Sequence, residues 1–358
     1  MSTSLTVLRE GTESSRFHRL EHDDARTAIP ALDAGAIERE LKQRIDGEVR
    51  FDKGTRAIYS TDGSNYRQVP IGVVIPRHIS DVETTIELAR RHGAPILSRG
   101  GGTSLAGQCC NVAIVMDFSK YMHRVLEIDP QRRLARVEPG CVLDDLRDTA
   151  TKQHGLTFAP DPETHNHCTL GGMLGNNSCG VHSLMARNNG MGLRMSDNTQ
   201  EMEILMYEGH RFRVGPTSED ELDRIIRAGG PQGEIYGKLR AFRNKYADAI
   251  RTGYPHLERR VSGYNLNDLL PENGCNVARA LVGSESTLVT ILEATVRLVP
   301  APKARSLVIL GYPDIYSGAD HVMEILDFNP IGLEGMDHYL FKFVKAKGDE
   351  NANLALLP

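Results

Sequence analysis

The sequence predicts an α+β fold of two α/β subdomains, a small β-α-β unit followed by a larger region with a mixed sheet. Three observations predict it. A β-branched apolar run, a capped amphipathic segment and a second apolar run follow one another between Ile71 and Gly100, the order of a β-α-β unit. Beyond residue 120 the apolar runs come instead in pairs around tight turns, the pattern of antiparallel hairpins. Between them, residues 156–200 are rich in Gly, Asn, His and Ser and have almost no periodicity, and loops of that length are usually functional.

Residues 1–30 are polar and read as a loose leader. Ile37 and Leu41, spaced by four, predict a short helix over Ala34–Arg44, and the polar stretch between Gly54 and Val69 reads as loop with a turn at Asp62-Gly63. Residues 71–76 (IGVVIP) predict a buried strand. Ser80-Asp81-Val82-Glu83 has the form of a capping box, opening a helix that runs to Gly93 with Val82, Ile86 and Ala89 on one face. PILSRG (95–100) and AIVMDFS (113–119) are the next strands, and a one-helix crossover implies parallel pairing of the first two. VLEID and LARVEPG flank Pro130-Gln131-Arg132 as a hairpin. A helix from Val142 to about His154 follows, ended by Gly155. A second hairpin turns at Glu208-Gly209, and helices are predicted over Leu222–Arg227 and Ile235–Ile250. Residues 279–300 read as a strand, a capped helix start and a final strand. SLVILGYP (306–313) reads as a strand opening a new unit, with a helix through His321–Leu326.

With 358 residues, 40% hydrophobic and 25% charged, the chain has the composition of an ordinary globular protein of more than one domain. A formal net charge of -5, with basic pairs such as Arg90-Arg91 and Arg132-Arg133 interrupted by acids, argues against nucleic acid as a partner. No apolar stretch approaches the ~20 residues of a transmembrane segment, and the N-terminus lacks a signal peptide's apolar core. The six cysteines contain no C-x-x-C pair, which fits a reducing cytoplasm, with Cys109-Cys110 as a vicinal pair.

Three motifs carry chemistry. In SRGGGTSLAGQ (98–108), Gly100-Gly101-Gly102 and Thr103-Ser104 offer consecutive backbone N–H groups with no Cβ in the way, a concavity for phosphate oxygens. It is neither a P-loop, since no Gly-Lys-Ser/Thr closes it, nor a dinucleotide fingerprint, since Leu105 stands where the third glycine belongs. In PDPETHNHCTLGGMLGNNSCG (160–180), prolines fix the backbone, glycines allow close approach, and Thr169, Asn176, Asn177 and Ser178 supply neutral hydrogen bonds suited to a planar, polar-edged ring system. His165, His167, Cys168, Cys179 and His182 are neighbours there, but their spacing matches no standard zinc arrangement, and no metal is assigned. GSESTL (283–288) follows an apolar run, with Ser284 or Ser286 as a helix cap in the plainest reading.

In this order and spacing the three motifs resemble the flavoenzyme family of vanillyl-alcohol oxidase and para-cresol methylhydroxylase, and within it the D-2-hydroxyacid dehydrogenases acting on D-lactate, glycolate or D-2-hydroxyglutarate. The resemblance spans about residues 50–340. After the leader and helix over 1–50, it implies an FAD-binding domain over 51–300, divided near residue 119, with the beginning of a cap domain from 301. The wording THNHCTLGGMLGNNSCGVHS and SGYNLNDLLPENG resembles the long bacterial members that fuse this flavoprotein to an iron–sulfur region. The family pattern assigns FAD to Ser98, Arg99, Gly100, Gly101, Gly102, Thr103, Ser104, Gly107 and Gln108. It adds Pro139 and Gly140, then Pro160, Asp161, Thr164, Thr169, Gly171, Gly172, Gly175, Asn176, Asn177, Ser178 and Gly180. Thr103 stands where relatives with covalent flavin often carry histidine, implying non-covalent FAD; Ser286 and Val289 stand where glycines are common.

The implied reaction is oxidation of a D-2-hydroxy acid, with the α-hydrogen passing as hydride to flavin N5 and a base taking the hydroxyl proton. Arg260, Tyr264 and Asn265, in RRVSGYN, are the substrate-side candidates, with a surface role for Arg260 the bland alternative. The family's metal-binding histidines, catalytic histidine and carboxylate-binding arginine are expected beyond residue 358, and no iron–sulfur cysteine run is present, so such a cluster belongs to a fused or partner region. The expected setting is cytoplasmic or peripheral to the inner membrane, with an electron acceptor or iron–sulfur partner. The competing classes are a flavin-carrying electron-transfer module without its own substrate site and a non-flavin nucleotide binder.

Overall fold

The computed structural model describes residues 32–347, so the leader read over residues 1–30 lies outside the described range. Helix α1 (Ala34–Arg44) starts where Asp33 accepts a hydrogen bond from Ala36 N at 2.9 Å, and it buries Ile37 and Leu41 as their spacing predicts. After β1 (Glu48–Arg50) comes a helix where a loop was expected, α2 (Lys53–Ile58), capped by the Asp52 carboxylate on Thr55 N at 2.9 Å. None of its residues is buried, so no apolar stripe marks it in the sequence.

Strand β2 (Gly72–Ile75) leads to α3 (Ile79–His92), which buries Val82, Ile86 and Ala89 and ends at Gly93 in a left-handed cap. The helix begins earlier than the Ser80 capping box implied. His78 is the cap residue, and the Asp81 carboxylate in the first turn reaches back to accept from Arg77 N (2.8 Å) and Asp46 N (3.1 Å), outcompeting a serine hydroxyl.

Strands β3 (Ile96–Arg99) and β4 (Ile114–Asp117) complete a four-stranded sheet of order β1-β2-β4-β3, with β1 antiparallel. The expected pairing of β2 with β3 does not form. Both run parallel to β4, which lies between them, Gly72 and Ile96 each opposite Ile114. Burial explains the insertion: every residue of β4 is buried, whereas β3 buries only Leu97, so the more apolar strand takes the interior position and β3 the edge.

A second sheet, wholly antiparallel, has order β5-β6-β10-β8-β9. Its outer hairpins are the two expected ones, β5 (Val125–Asp129) with β6 (Leu134–Val137), and β8 (Thr199–Leu205) with β9 (Arg211–Val214). Helix α4 (Leu143–His154) ends at Gly155 as predicted, and the short strand β7 (Leu156–Thr157) pairs with β11 (Val299–Pro300). The central strand β10 (Thr290–Arg297) alternates strictly, sending Leu292, Ala294 and Val296 into a core that holds Leu146, Phe158, Leu170 and Met173. The helices foreseen around 222–250 are longer, Glu219–Ala228 and Gly230–Gly253.

Four further readings are corrected. The segment judged aperiodic contains helix α5 (Leu170–Asn176), capped by the Thr169 hydroxyl on Gly172 N; its three glycines mask the i, i+3, i+4 stripe of buried Leu170, Met173 and Leu174. The run before GSESTL is a helix, Val277–Leu281, capped by Asn276, because an apolar run that short does not distinguish helix from strand. GSESTL itself is a turn: Gly283, Glu285 and Ser286 have φ of 86°, 47° and 62°, which no helix start accepts. Residues 306–313 form no strand; Leu307 is 87% and Val308 74% exposed, with no pairing strand among the described residues. No helix of the described residues is long and apolar enough to cross a membrane.

Candidate cofactor site

A cleft opens between the two sheets. One wall is the end of β3 with the loop after it, contributing Ser98, Arg99, Gly100, Ser104 and Gln108. The opposite wall is α5, turned so that Gly171, Gly172, Gly175 and Asn176 face the opening, with Pro139 and Thr169 at its foot. The segment leading into β10 closes the third side with Ser284, Glu285, Ser286, Val289 and Ile291, and Cys109 and Phe118 complete the lining.

The loop carries unpaired donors. Backbone N–H groups of Gly100, Gly101, Gly102, Thr103 and Ser104 meet no acceptor among the described residues, and the buried Ser98 hydroxyl is likewise without a partner. Successive free N–H groups around a bend make an anion-binding concavity, and a buried hydroxyl left unsatisfied marks a place where a ligand atom belongs. The one cation on this wall is already engaged: the Arg99 guanidinium donates to Thr61 O (2.8 Å) and Cys109 O (3.0 Å), bracing the loop from behind.

The glycines divide into two kinds. A Cβ on Gly100 would lie 1.9 Å from Thr169 Oγ1, and one on Gly101 would lie 2.2 Å from the His167 carbonyl oxygen. Those two are glycine because the loop is packed against the segment entering α5. On Gly175 a Cβ would meet nothing within 4 Å, and on Gly172 only Thr169 Oγ1 at 3.5 Å. Their bare helix face is open to the cleft, a flat surface on which a planar ring system can lie.

Other residues assigned to the cofactor by resemblance lie outside the lining. Gly102 is left-handed and accepts at its carbonyl from Gly63 N (3.0 Å), Thr103 O is 3.2 Å from a Cβ position on Gly63, and Gly107, also left-handed, abuts Tyr66. Gly140 passes beneath the Phe118 carbonyl, and Pro160 is buried. Buried Asp161 accepts from His182 N at 2.8 Å and pairs with the His182 ring, while Gly180 passes under its carbonyl. Thr164 O accepts from His167 N and Cys168 N, both at 2.8 Å. Asn177, fully buried with φ 57°, accepts from Ser196 N at 2.9 Å, and Ser178 donates to Asn176 Oδ1 at 2.6 Å. These groups wind residues 160–180 upon themselves and so hold α5 in place. Burial pushes the Cys141 thiol up to about 12 and that of Cys168 up to about 11, which leaves both unreactive.

The RRVSGYN residues do not line the cleft. Fully buried Asn265 donates to Val282 O at 2.8 Å, and the Tyr264 hydroxyl meets Thr287 Oγ1 at 2.8 Å, so both buttress the GSESTL turn. Arg260 stacks on Tyr254 and donates to Asn265 and Asn267, leaving Nη1 buried and unpaired. Beside it, Asp268 is 6% exposed with Oδ2 unsatisfied, and burial raises its carboxyl to about 6 against the pull of Arg279 and Arg194. A folded-state value raised from 3.8 means that ionised Asp268 opposes folding above pH 6 and that this cost disappears below pH 4. Asp268→Asn is therefore expected to stabilise the protein by about 3 kcal/mol at pH 8 and by little at pH 4. Urea unfolding at the two pH values measures the difference, and equal effects at both would remove the charge explanation.

The sequence reading missed Cys109, Phe118, Ser284, Glu285, Ser286, Val289 and Ile291 as lining residues. The GSESTL motif was the available signal, obscured by its resemblance to a helix cap.

Comparison with known proteins agrees with this geometry. A family model for an FAD binding domain matches residues 70–215. The D-2-hydroxyglutarate dehydrogenase of Pseudomonas putida is 32% identical over 295 residues, 81% of this chain but 29% of that protein. The glycolate oxidase subunit GlcD of Bacillus subtilis is 29% identical over 313 residues, 84% of this chain and 54% of its own length. This chain thus spans under a third of the first relative and about half of the second. Among solved structures, alkyldihydroxyacetonephosphate synthase superposes with a TM-score of 0.52 at 21% identity, covering 75% of this chain and 41% of that one. p-Cresol methylhydroxylase superposes at 0.51 with 14% identity, covering 75% and 44%. These likenesses establish the fold.

Proposed function

Because the chain belongs to the FAD-binding family of the D-2-hydroxyacid dehydrogenases, we propose that its cleft holds non-covalent FAD for oxidation of a D-2-hydroxy acid to the 2-oxo acid. The observation that carries the reading is the pairing of two unlike walls, free N–H groups with an orphaned serine on one side and a bare glycine helix face on the other. The Gly100 and Ser104 N–H groups and Ser98 Oγ are the donors for the diphosphate. Gly172 and Gly175 provide the surface for a ring, with Val289, Ile291 and Phe118 as apolar cover. When bound, FAD supplies a two-electron acceptor for a carbon bearing a hydroxyl group.

The domain division belongs to the same reading: one part to about residue 119, a second to about 300 and the beginning of a cap from 301, a division supported by where the two sheets fall. So does a cytoplasmic setting with an electron acceptor or iron–sulfur partner, on the pattern of the long bacterial relatives.

The chain reconstituted with FAD is expected to bleach anaerobically on addition of D-2-hydroxyglutarate, D-lactate or glycolate, followed by flavin absorbance. A second reading, a flavin-carrying module that relies on another region for its substrate, is favoured by the lining itself, which contains no histidine. Tight FAD binding without bleaching by any of the three acids decides for that reading, and failure to bind FAD rejects both.

A further inference from the structure

Resting on the assignment of FAD to the cleft, we infer that Gln108 and Glu285 form a clasp across its mouth that gates cofactor entry and release. Gln108 closes the glycine loop of the first sheet, and Glu285 sits in the turn before β10 of the second. Although 177 residues apart in sequence, they meet where Gln108 Nε2 donates to Glu285 Oε1 at 3.2 Å. Both line the cleft, and Glu285 is exposed, so the contact lies on its solvent side.

The turn under Glu285 is built to hold that side chain in one place. Glu285 and Ser286 are both left-handed, at φ 47° and 62°, without being glycine, a conformation that L side chains adopt only at a cost. The surroundings over-determine it. Gly283 N donates to Leu174 O (2.8 Å) and Glu285 N to Gly175 O (3.0 Å), which ties the turn to the last carbonyls of α5. Thr287 folds back onto Ser284 O (2.6 Å) and is met from outside by Tyr264. The backbone is thereby anchored to one wall while only the Glu285 side chain bridges to the other.

Electrostatics argue against a ligating role for this carboxylate. A carboxylate has no hydrogen to donate to a diphosphate, its charge on the solvent side is screened, and Glu285 engages no cation there; its partner is the neutral Gln108 amide. A side chain that gives the ligand no attraction yet spans the entrance acts on passage rather than on affinity.

The kinetic signature follows. A clasp slows binding and release alike, whereas a direct ligand contact changes release alone. Stopped-flow flavin fluorescence with the full chain, mixing with FAD and then chasing, gives both rates. Glu285→Ala is expected to raise both by about three- to tenfold, the worth of one hydrogen bond, with Kd within about twofold of the parent, and Gln108→Ala to speed binding by the same factor. The double variant should exceed neither single one, because either change opens the same clasp. Glu285→Gln, which keeps an acceptor oxygen, should behave like the parent. Faster release with unchanged binding would overturn the clasp in favour of a ligand contact. Additive single effects, or rates that do not move, would overturn it as well. FAD binding by the parent chain separates these failures from failure of the cofactor assignment, which shows as no fluorescence change in any protein.

Discussion

Gly175→Leu is expected to weaken FAD binding by about 100-fold or more while the cofactor-free protein stays as stable as the parent. The side chain would leave α5 at a position where its Cβ meets no protein atom within 4 Å, and would extend into the cleft that Gly175 lines. Leucine also suits a helix better than glycine by roughly 0.7–1 kcal/mol, so the thermal midpoint of the apoprotein should hold or rise. The two measurements, FAD titration by fluorescence and thermal unfolding without cofactor, must diverge. Undiminished affinity would place the cofactor away from the helix face, and joint loss of affinity and stability would mean that Gly175 is needed by the fold.

Gly101→Ala is expected to lower stability and affinity together. Its Cβ would lie 2.2 Å from the His167 carbonyl oxygen, a backbone atom that cannot rotate aside. Over-packing of that kind costs about 1–3 kcal/mol, and relief requires the loop to lift from the segment entering α5. Stability without cofactor should fall by that amount, and FAD affinity should fall with it because the donor N–H groups are carried off together. Denaturant unfolding of the apoprotein checks the first, and an unchanged midpoint would show that the close packing of the two segments is dispensable.

The contrast between those glycines shows where sequence reasoning stops. Both motifs were visible, because consecutive glycines after a strand and a glycine-asparagine segment downstream are local signals. What was not visible is which glycine faces a ligand and which faces protein. That distinction depends on a contact between Gly100–Gly101 and His167–Thr169, segments far apart in the chain. Helix α5 was hidden for a related reason: three glycines lower its propensity, and only the burial of Leu170, Met173 and Leu174 makes it a helix. The strands, the hairpins and the α3 and α4 stops at Gly93 and Gly155 were legible because period and punctuation agree there. The order of strands in the first sheet was not, because adjacency in sequence says nothing about which strand is apolar enough to take the centre. RRVSGYN was read toward substrate, but the geometry gives Tyr264 and Asn265 work in supporting the GSESTL turn, a role that no spacing rule announces.

In both sheets a late strand takes an inner place: β4 enters between β2 and β3, and β10 between the hairpins β5-β6 and β8-β9. During synthesis, therefore, β2 and β3 have no partner in each other, and the glycine loop stays unplaced until residue 117 arrives. The two hairpins can form early, yet they cannot join until β10 closes a loop of more than a hundred residues back to β6. Long closures of this kind are slow, and they come before the contacts that reward them. The second-sheet wall of the cleft accordingly waits on β10, and any truncation that removes residues 290–297 takes away the keystone of the second sheet instead of trimming its rim.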